Sequence, residues 1–167
     1  MLNGAAPASQ VLEQGIVIPP EAVAADLALD PGATTVKIVR LRLSHGTPLL
    51  LETVYIPASL CPGLDQTDLA TQSLYGLLES RYGLRLSHAR QTFETTTANS
   101  YEAQLFAIAV GLGMILLEGV TRLDTGQPVE YFKAIYRGDR FKFAMESQRG
   151  PWPAEFPNAP RLSVVMR

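Results

Sequence analysis

At 167 residues the chain is sized for one domain with a substantial core, and 14 basic against 16 acidic residues leave a net charge of −2. No Lys/Arg-rich block or basic helix is present, which argues against a nucleic-acid-binding surface on this chain. One cysteine, Cys61, excludes an internal disulfide and two distant histidines, His45 and His88, offer no metal-ligand spacing, so neither a metal nor a cofactor is assigned.

No apolar run reaches membrane-spanning length, and the start Met1-Leu2-Asn3-Gly4-Ala5-Ala6-Pro7 lacks the basic and apolar regions of a secretory leader. The expectation is a soluble cytoplasmic protein with no membrane partner. Residues 1–19 are small, polar and Pro-bounded, and read as a linker from something upstream or an added segment. Pro19-Pro20 then precede Glu21 to Leu27, a short helix with proline at its start and an early acidic residue. Asp30-Pro31-Gly32 breaks it.

The run Val36-Lys37-Ile38-Val39-Arg40-Leu41-Arg42-Leu43 alternates as a strand does, so Arg40 and Arg42 leave the same face as Val36 and Ile38. Two permanent charges on an otherwise apolar face are expensive to desolvate and suit an anion. His45-Gly46-Thr47-Pro48 is a turn, with Pro48 in the loop because it has no N–H for a ladder, and Leu49 to Ile56 is the returning strand. A three-residue loop sets His45 opposite Leu49, Leu50 opposite Ser44, Glu52 opposite Arg42 and Val54 opposite Arg40.

Residues 57–72 are a Pro/Gly-punctuated loop. Leu74, Leu77, Leu78 and Arg81 recur at helical spacing, with Ser73 as N-cap and Gly83 placed to end the helix. The Thr-rich stretch 85–97 reads as a strand, and Asn99 with Glu102 forms a capping box opening a helix from Tyr101 to Ala109, ended by Gly111 and Gly113. Strands follow at 115–123, 129–136 and from Phe141, joined by turns at 124–127 and 137–139 into a three-stranded meander. Prolines 151, 153, 157 and 160 mark an irregular tail over 149–167, in which Leu162 to Met166 could return as an edge strand. Hairpins dominate, so the fold class is α+β with a mostly antiparallel sheet and helices packed on it.

Four pieces of this layout could converge. Arg40 and Arg42 are a donor pair for phosphate, sulfate or carboxylate. The helix start at Ser73-Leu74-Tyr75 offers free backbone N–H groups and a hydroxyl. Glu52 can accept from ligand hydroxyls, and Glu130 and Tyr136 share one face of their strand with Phe132 and Ala134. Spacing alone leaves plainer readings open: an Arg-x-Arg pair on a solvated face, Glu52 neutralising Arg42, Ser73 as a cap only, and Glu130 and Tyr136 as a surface acid and a core aromatic.

In their order and spacing, Arg40-Leu41-Arg42, Gly46-Thr47-Pro48, Glu52 with Tyr55-Ile56-Pro57, Ser73-Leu74-Tyr75 with Leu78, Tyr82-Gly83, Gly126-Gln127-Pro128-Val129-Glu130 and Tyr136-Arg137-Gly138-Asp139-Arg140-Phe141 resemble the UTRA domain, from about Pro20 to about Glu146. UTRA domains are the effector-binding modules of the HutC-type branch of GntR-family bacterial transcription regulators. The resemblance implies a chorismate-lyase-like α+β fold over residues 20–148 and a homodimer. It implies a small anionic effector held by Arg40, Arg42, Ser73 and Tyr75 at its charged end and by Glu52, Glu130 and Tyr136 at its polar end. It implies operator DNA as a partner only through an N-terminal winged-helix domain that is missing before Pro20, and no catalysis. The alternative is an enzyme related to chorismate pyruvate-lyases, a fold that also sets arginines and a glutamate around a dicarboxylate.

Overall fold

The computed structural model of the protein describes residues 8–146 and 161–166. A six-stranded sheet in the order β1-β2-β3-β6-β5-β4, antiparallel at every pairing, forms its centre. The strands are β1 (Ala8–Val17), β2 (Thr35–Ser44), β3 (Thr47–Pro57), β4 (Leu86–Thr97), β5 (Gly113–Leu123) and β6 (Pro128–Arg137). Three short helices pack on them: α1 (Glu21–Asp26), α2 (Leu74–Ser80) and α3 (Ser100–Phe106). A separate two-stranded sheet joins β7 (Phe141–Glu146) to β8 (Arg161–Met166).

Strand β2 explains why the sheet is covered on both sides. Val36 and Ile38 pack with Val54, Ile56, Leu74 and Leu78 beneath α2, together with Cys61, Leu64 and Leu69 from the 57–72 loop. Val39 and Leu41 point the other way and pack with Leu51, Ile135 and Phe106 of α3. Val23 and Leu27 close that second side by packing on Tyr131. With one set of alternate residues under each layer, β2 is buried on both faces over much of its length, although Lys37, Arg40 and Arg42 interrupt its apolar run. The α2 side also carries Arg40, Arg42, Glu52, Glu130 and Tyr136, so the candidate residues share one face.

The α+β class and most element positions agree with the sequence. Ser73 caps α2 by accepting from the Gly76 N–H at 3.2 Å, and Asn99 and Glu102 form the reciprocal capping box on α3. Four expectations are corrected. Residues 8–17, small and polar enough to suggest a linker, are strand β1; an extra residue, Leu12, bulges between Val11 and Glu13 and breaks the alternation that would have revealed it. The β2–β3 turn is the two-residue pair His45-Gly46, with φ of +48° and +76°, and Pro48 lies inside β3. Pro48 is tolerated there because the pairing of β3 with β6 begins only at Leu50, leaving its nitrogen without a ladder partner to supply. Helix α3 stops at Ala107, whose φ of +52° is left-handed, rather than at Gly111. Strand β7 leaves the main sheet, so β5 and β6 make a hairpin and not a three-stranded meander. As the sequence allowed, Leu162 to Met166 do return as a strand, β8, which pairs with β7 apart from the main sheet, while residues 147–160 and 167 lie outside the described residues.

Gly119 of β5 is the tightest spot of the sheet: a Cβ there would lie 2.4 Å from the Arg90 carbonyl oxygen of β4. The atoms it would meet are β4 backbone and the Gln91 Cβ fixed to it, with no flexible side-chain end to yield, so Gly119→Ala must part the two strands. We expect it to lower stability by about 1–3 kcal/mol in urea denaturation. Gly15→Ala, where a Cβ meets nothing within 4 Å, should leave the midpoint nearly unchanged.

Candidate functional site

A cleft of about 550 Å³ opens between β2, β3 and the segment leading into α2. Arg40, Arg42, Glu52, Ser73 and Tyr75 all line it, so five of the seven residues singled out in the sequence meet at one cavity. The other walls are Ser9 of β1 and residues 70–72, which the sequence reading missed. Ser9 stands opposite Arg42 in the β1–β2 ladder, and the linker-like composition of 1–19 hid it.

The two arginines are not equivalent. Arg40 is 4% exposed, and its Nε and Nη2 both donate to Glu52 Oε2, at 3.0 and 2.5 Å. The bland expectation of a Glu52–Arg42 pair is therefore corrected: Glu52 stands opposite Arg40, Arg42 opposite Leu50, and Val54 opposite Ile38. A two-residue turn by itself would have turned Glu52 to the far face. The bulge between Arg42 and Leu43, where Leu49 is the extra residue, restores the parity and shifts the pairing by two. Arg42 makes no ion pair among the described residues, and its Nε is buried with no hydrogen-bond partner. A donor on a permanent cation, enclosed and unanswered, is the least satisfied group in the cleft.

On the opposite wall, residues 68–75 arrange the approach to α2. The Asp68 carboxylate accepts from the Ala70 N–H and the Thr71 hydroxyl, which keeps its carboxyl below the ordinary range. Ser73 is exposed and its hydroxyl is occupied as a cap, while Leu74 and Tyr75 at the start of α2 line the cleft beside it.

Glu130 and Tyr136 do not line the cleft. Glu130 is 1% exposed behind it, and its Oε2 accepts from the Tyr75 hydroxyl and from Thr121 Oγ1, each at 2.7 Å. Burial pushes its carboxyl above the ordinary carboxylate range, opposed by those two hydrogen bonds. Tyr75 thus spans two environments: the residue is 47% exposed on the cleft wall, while its hydroxyl reaches inward to Glu130, where burial and the Glu130 charge hold its pKa up. Tyr136 sits two strands from Arg42, opposite Leu50, with its ring edge-on to Phe141 and Phe143 at centroid distances of 5.0 and 5.3 Å. Burial raises its phenol to about 12, the Glu52 charge adding and Arg42 opposing, so Tyr136 lies within the field of both cleft residues. Elsewhere Cys61 is a buried thiol donating to the Pro57 carbonyl and pushed up to about 12 by burial, a packing residue and not a nucleophile.

A family model described as the UTRA domain matches residues 2–142, which begins earlier than Pro20 and takes in β1. Among curated proteins, the HTH-type transcriptional repressor NagR of Bacillus subtilis is 30% identical over 141 residues, covering 84% of this chain and 58% of NagR. The repressor PhnF of Mycolicibacterium smegmatis is 32% identical over 123 residues, covering 74% of this chain and 50% of PhnF. The chain thus spans about half to three-fifths of these relatives' length. A GntR-family transcriptional regulator from Enterococcus faecalis V583 superposes with a TM-score of 0.77 at 26% identity, over 84% of this chain and all of that one. The effector domain of PhnF does so with a TM-score of 0.75 at 28% identity, over 80% of this chain and 82% of that one. The chain belongs to the UTRA domain family, and the proteins it resembles are transcriptional regulators, among them members of the GntR family.

Proposed function

We propose that this chain is the ligand-sensing and dimerising part of a GntR-family regulator, and that its cleft binds a small anionic metabolite: a sugar phosphate, a phosphonate or a carboxylate. The unanswered, partly enclosed guanidinium of Arg42 carries this reading. An anion placed against it would receive charge-assisted hydrogen bonds from Arg42, with the start of α2 beside it and Ser9 and Ser73 at its flanks. Arg40, already paired, would hold Glu52 in place as the acceptor for the ligand's hydroxyl or amino groups. Tyr75 would bridge the two ends, with Glu130 fixing its hydroxyl from behind. Tyr136 lies off the cleft wall, on β6 next to the strand that carries Glu52, and would complete the polar end from there.

The proposed output is regulatory. Ligand that binds one arrangement of a dimer more tightly shifts the population toward it, and so alters the placement of winged-helix domains joined to the chain at its N-terminus. No helix of the described residues is long and apolar enough to cross a membrane. The relatives are regulators, which favours sensing over turnover, and an assay of chorismate consumption tests the enzymatic alternative directly.

Thermal-shift screening against sugar phosphates, phosphonates and carboxylates is the decisive experiment, since a ligand that binds only the folded state raises the midpoint with its occupancy. Arg42→Ala should lower affinity for the effector so found about 10–100-fold by calorimetry, the worth of one charged hydrogen bond, with the melting temperature of the free protein little changed. Equal affinity in the variant would refute the assignment. Glu52→Gln is expected to behave differently: it leaves the Arg40 guanidinium buried without its counter-charge. It should cost about 1–3 kcal/mol of stability in urea titration as well as altering ligand selectivity.

Glu130 gives a pH signature. Its carboxyl is raised in the folded chain, so between the ordinary carboxylate pKa and the folded value the native state holds more protons than the unfolded state. Stability from this group is therefore full below the ordinary value and falls as pH rises through the folded one, with a slope of at most about 1.4 kcal/mol per pH unit. Glu130→Gln should flatten that decline in denaturation profiles taken from the ordinary carboxylate pKa upward.

A further inference from the structure

The two edges of the main sheet are protected very differently. Strand β1 closes one edge and carries a bulge at Leu12, while Gln14 is drawn away to donate to the Leu64 and Thr67 carbonyls, both at 2.8 Å. Strand β4 closes the other edge with 12 residues, pairs only with β5 among the described residues, and is irregular only at its beginning, between Leu86 and His88. Residues 87–95 of β4 are exposed throughout, so both of its faces and its outer ladder are open. It contains no proline and no lysine, the usual means of keeping such an edge solitary.

We infer that β4 pairs antiparallel with β4 of a second copy about a two-fold axis through Thr92, continuing the sheet across the dimer. The sequence around Thr92 is self-complementary in that register. Arg90 falls opposite Glu94 of the other copy, and Glu94 opposite its Arg90, all on one face. Neither charge has an ion-pair partner within the chain among the described residues. On the other face Phe93, a large apolar side chain 38% exposed, falls opposite Gln91 of the other copy and diagonal to its Phe93, within reach for two aromatic rings. Moving the axis by one residue loses the charge match: through Gln91 it sets Arg90 against Thr92, and through Phe93 it sets Arg90 against Thr96. An axis perpendicular to the sheet keeps faces together, so both clefts open on the same side of the joined sheet. The inference rests on the dimerisation in the proposed function and gives it a surface and a register.

The test uses the full chain and two single charge reversals at exposed positions remote from the cleft lining, Arg90→Glu and Glu94→Arg. Sedimentation velocity over a concentration series should show a dimer for the unaltered chain and at least about tenfold weaker self-association for each variant, because both symmetric contacts become like-charged. When the two variants are mixed in equal amounts, a dimer of unlike copies sets two acidic side chains of one against two basic side chains of the other. The mixture should therefore recover dimers of nearly the original affinity. A monomeric unaltered chain, single variants that associate as before, or a mixture that stays dissociated would each overturn the interface. The thermal response to sugar phosphates, phosphonates and carboxylates is read in parallel: its absence from the unaltered chain would defeat the sensing proposal alone, whatever the association data show.

Discussion

A guanidinium that is 4% exposed inside a sheet has to find a counter-charge, and the pairing of Arg40 with Glu52 is the constraint around which this side of the molecule is arranged. Removing one member of such a buried pair commonly costs about 3–5 kcal/mol, whereas the pair itself adds little net stability; the half-open position of Glu52 puts this pair at or below the low end of that range. Its effect is one of specification. Only the register that sets Glu52 against Arg40 satisfies the cation, and that register requires both the His45-Gly46 turn and the extra residue at Leu49. Turn, bulge and ion pair therefore select one another, and the selected register leaves Arg42 opposite an apolar residue, Leu50, with nothing to neutralise it.

That asymmetry turns two similar arginines into two different parts. Arg40 is committed to the fold and lends its charge to Glu52, while Arg42 and the start of α2 leave the cleft positive and under-bonded. The carboxylates are distributed to match: Glu52 borders the cleft, and Glu130 is withdrawn beneath Tyr75, where burial discourages its charge. A second free carboxylate beside Arg42 would have cancelled the local field, and withdrawing Glu130 preserves it.

Much of this is legible in the sequence because it is local. The parity of Val36, Ile38, Arg40 and Arg42, the Ser73 cap and the Asn99–Glu102 box each depend on residues within one element, and each stands where the spacing puts it. The illegible parts are those in which one inserted residue undoes a period. Leu12 hides β1, and with it Ser9; Leu49 moves Glu52 from Arg42 to Arg40. Bulges carry no strong composition signal, and neither do Ala107 in a left-handed conformation and a β7 that pairs outside the main sheet. Strand parity places Glu130 and Tyr136 on one face, but which members of that face reach the cavity depends on the depth at which α2 and Tyr75 lie over it.

The remaining link is between the cleft and the open edge of the sheet. Tyr136 lies in the field of Arg42 and Glu52, its ring meets Phe143 of β7 at 5.3 Å, and Phe143 meets Phe93 of β4 at 4.6 Å. Both ring contacts are edge-to-face, the geometry aromatic rings prefer, and packed rings shift between discrete arrangements rather than deforming smoothly. Phe93 is also the apolar side chain flanking the inferred two-fold axis. A ligand that displaced Tyr136 would thus act on the β4 edge through two side chains, without disturbing the hydrogen-bonded ladder between them. The proposed charge sensing at β2 and the inferred association at β4 would then be joined by packing across the face they share.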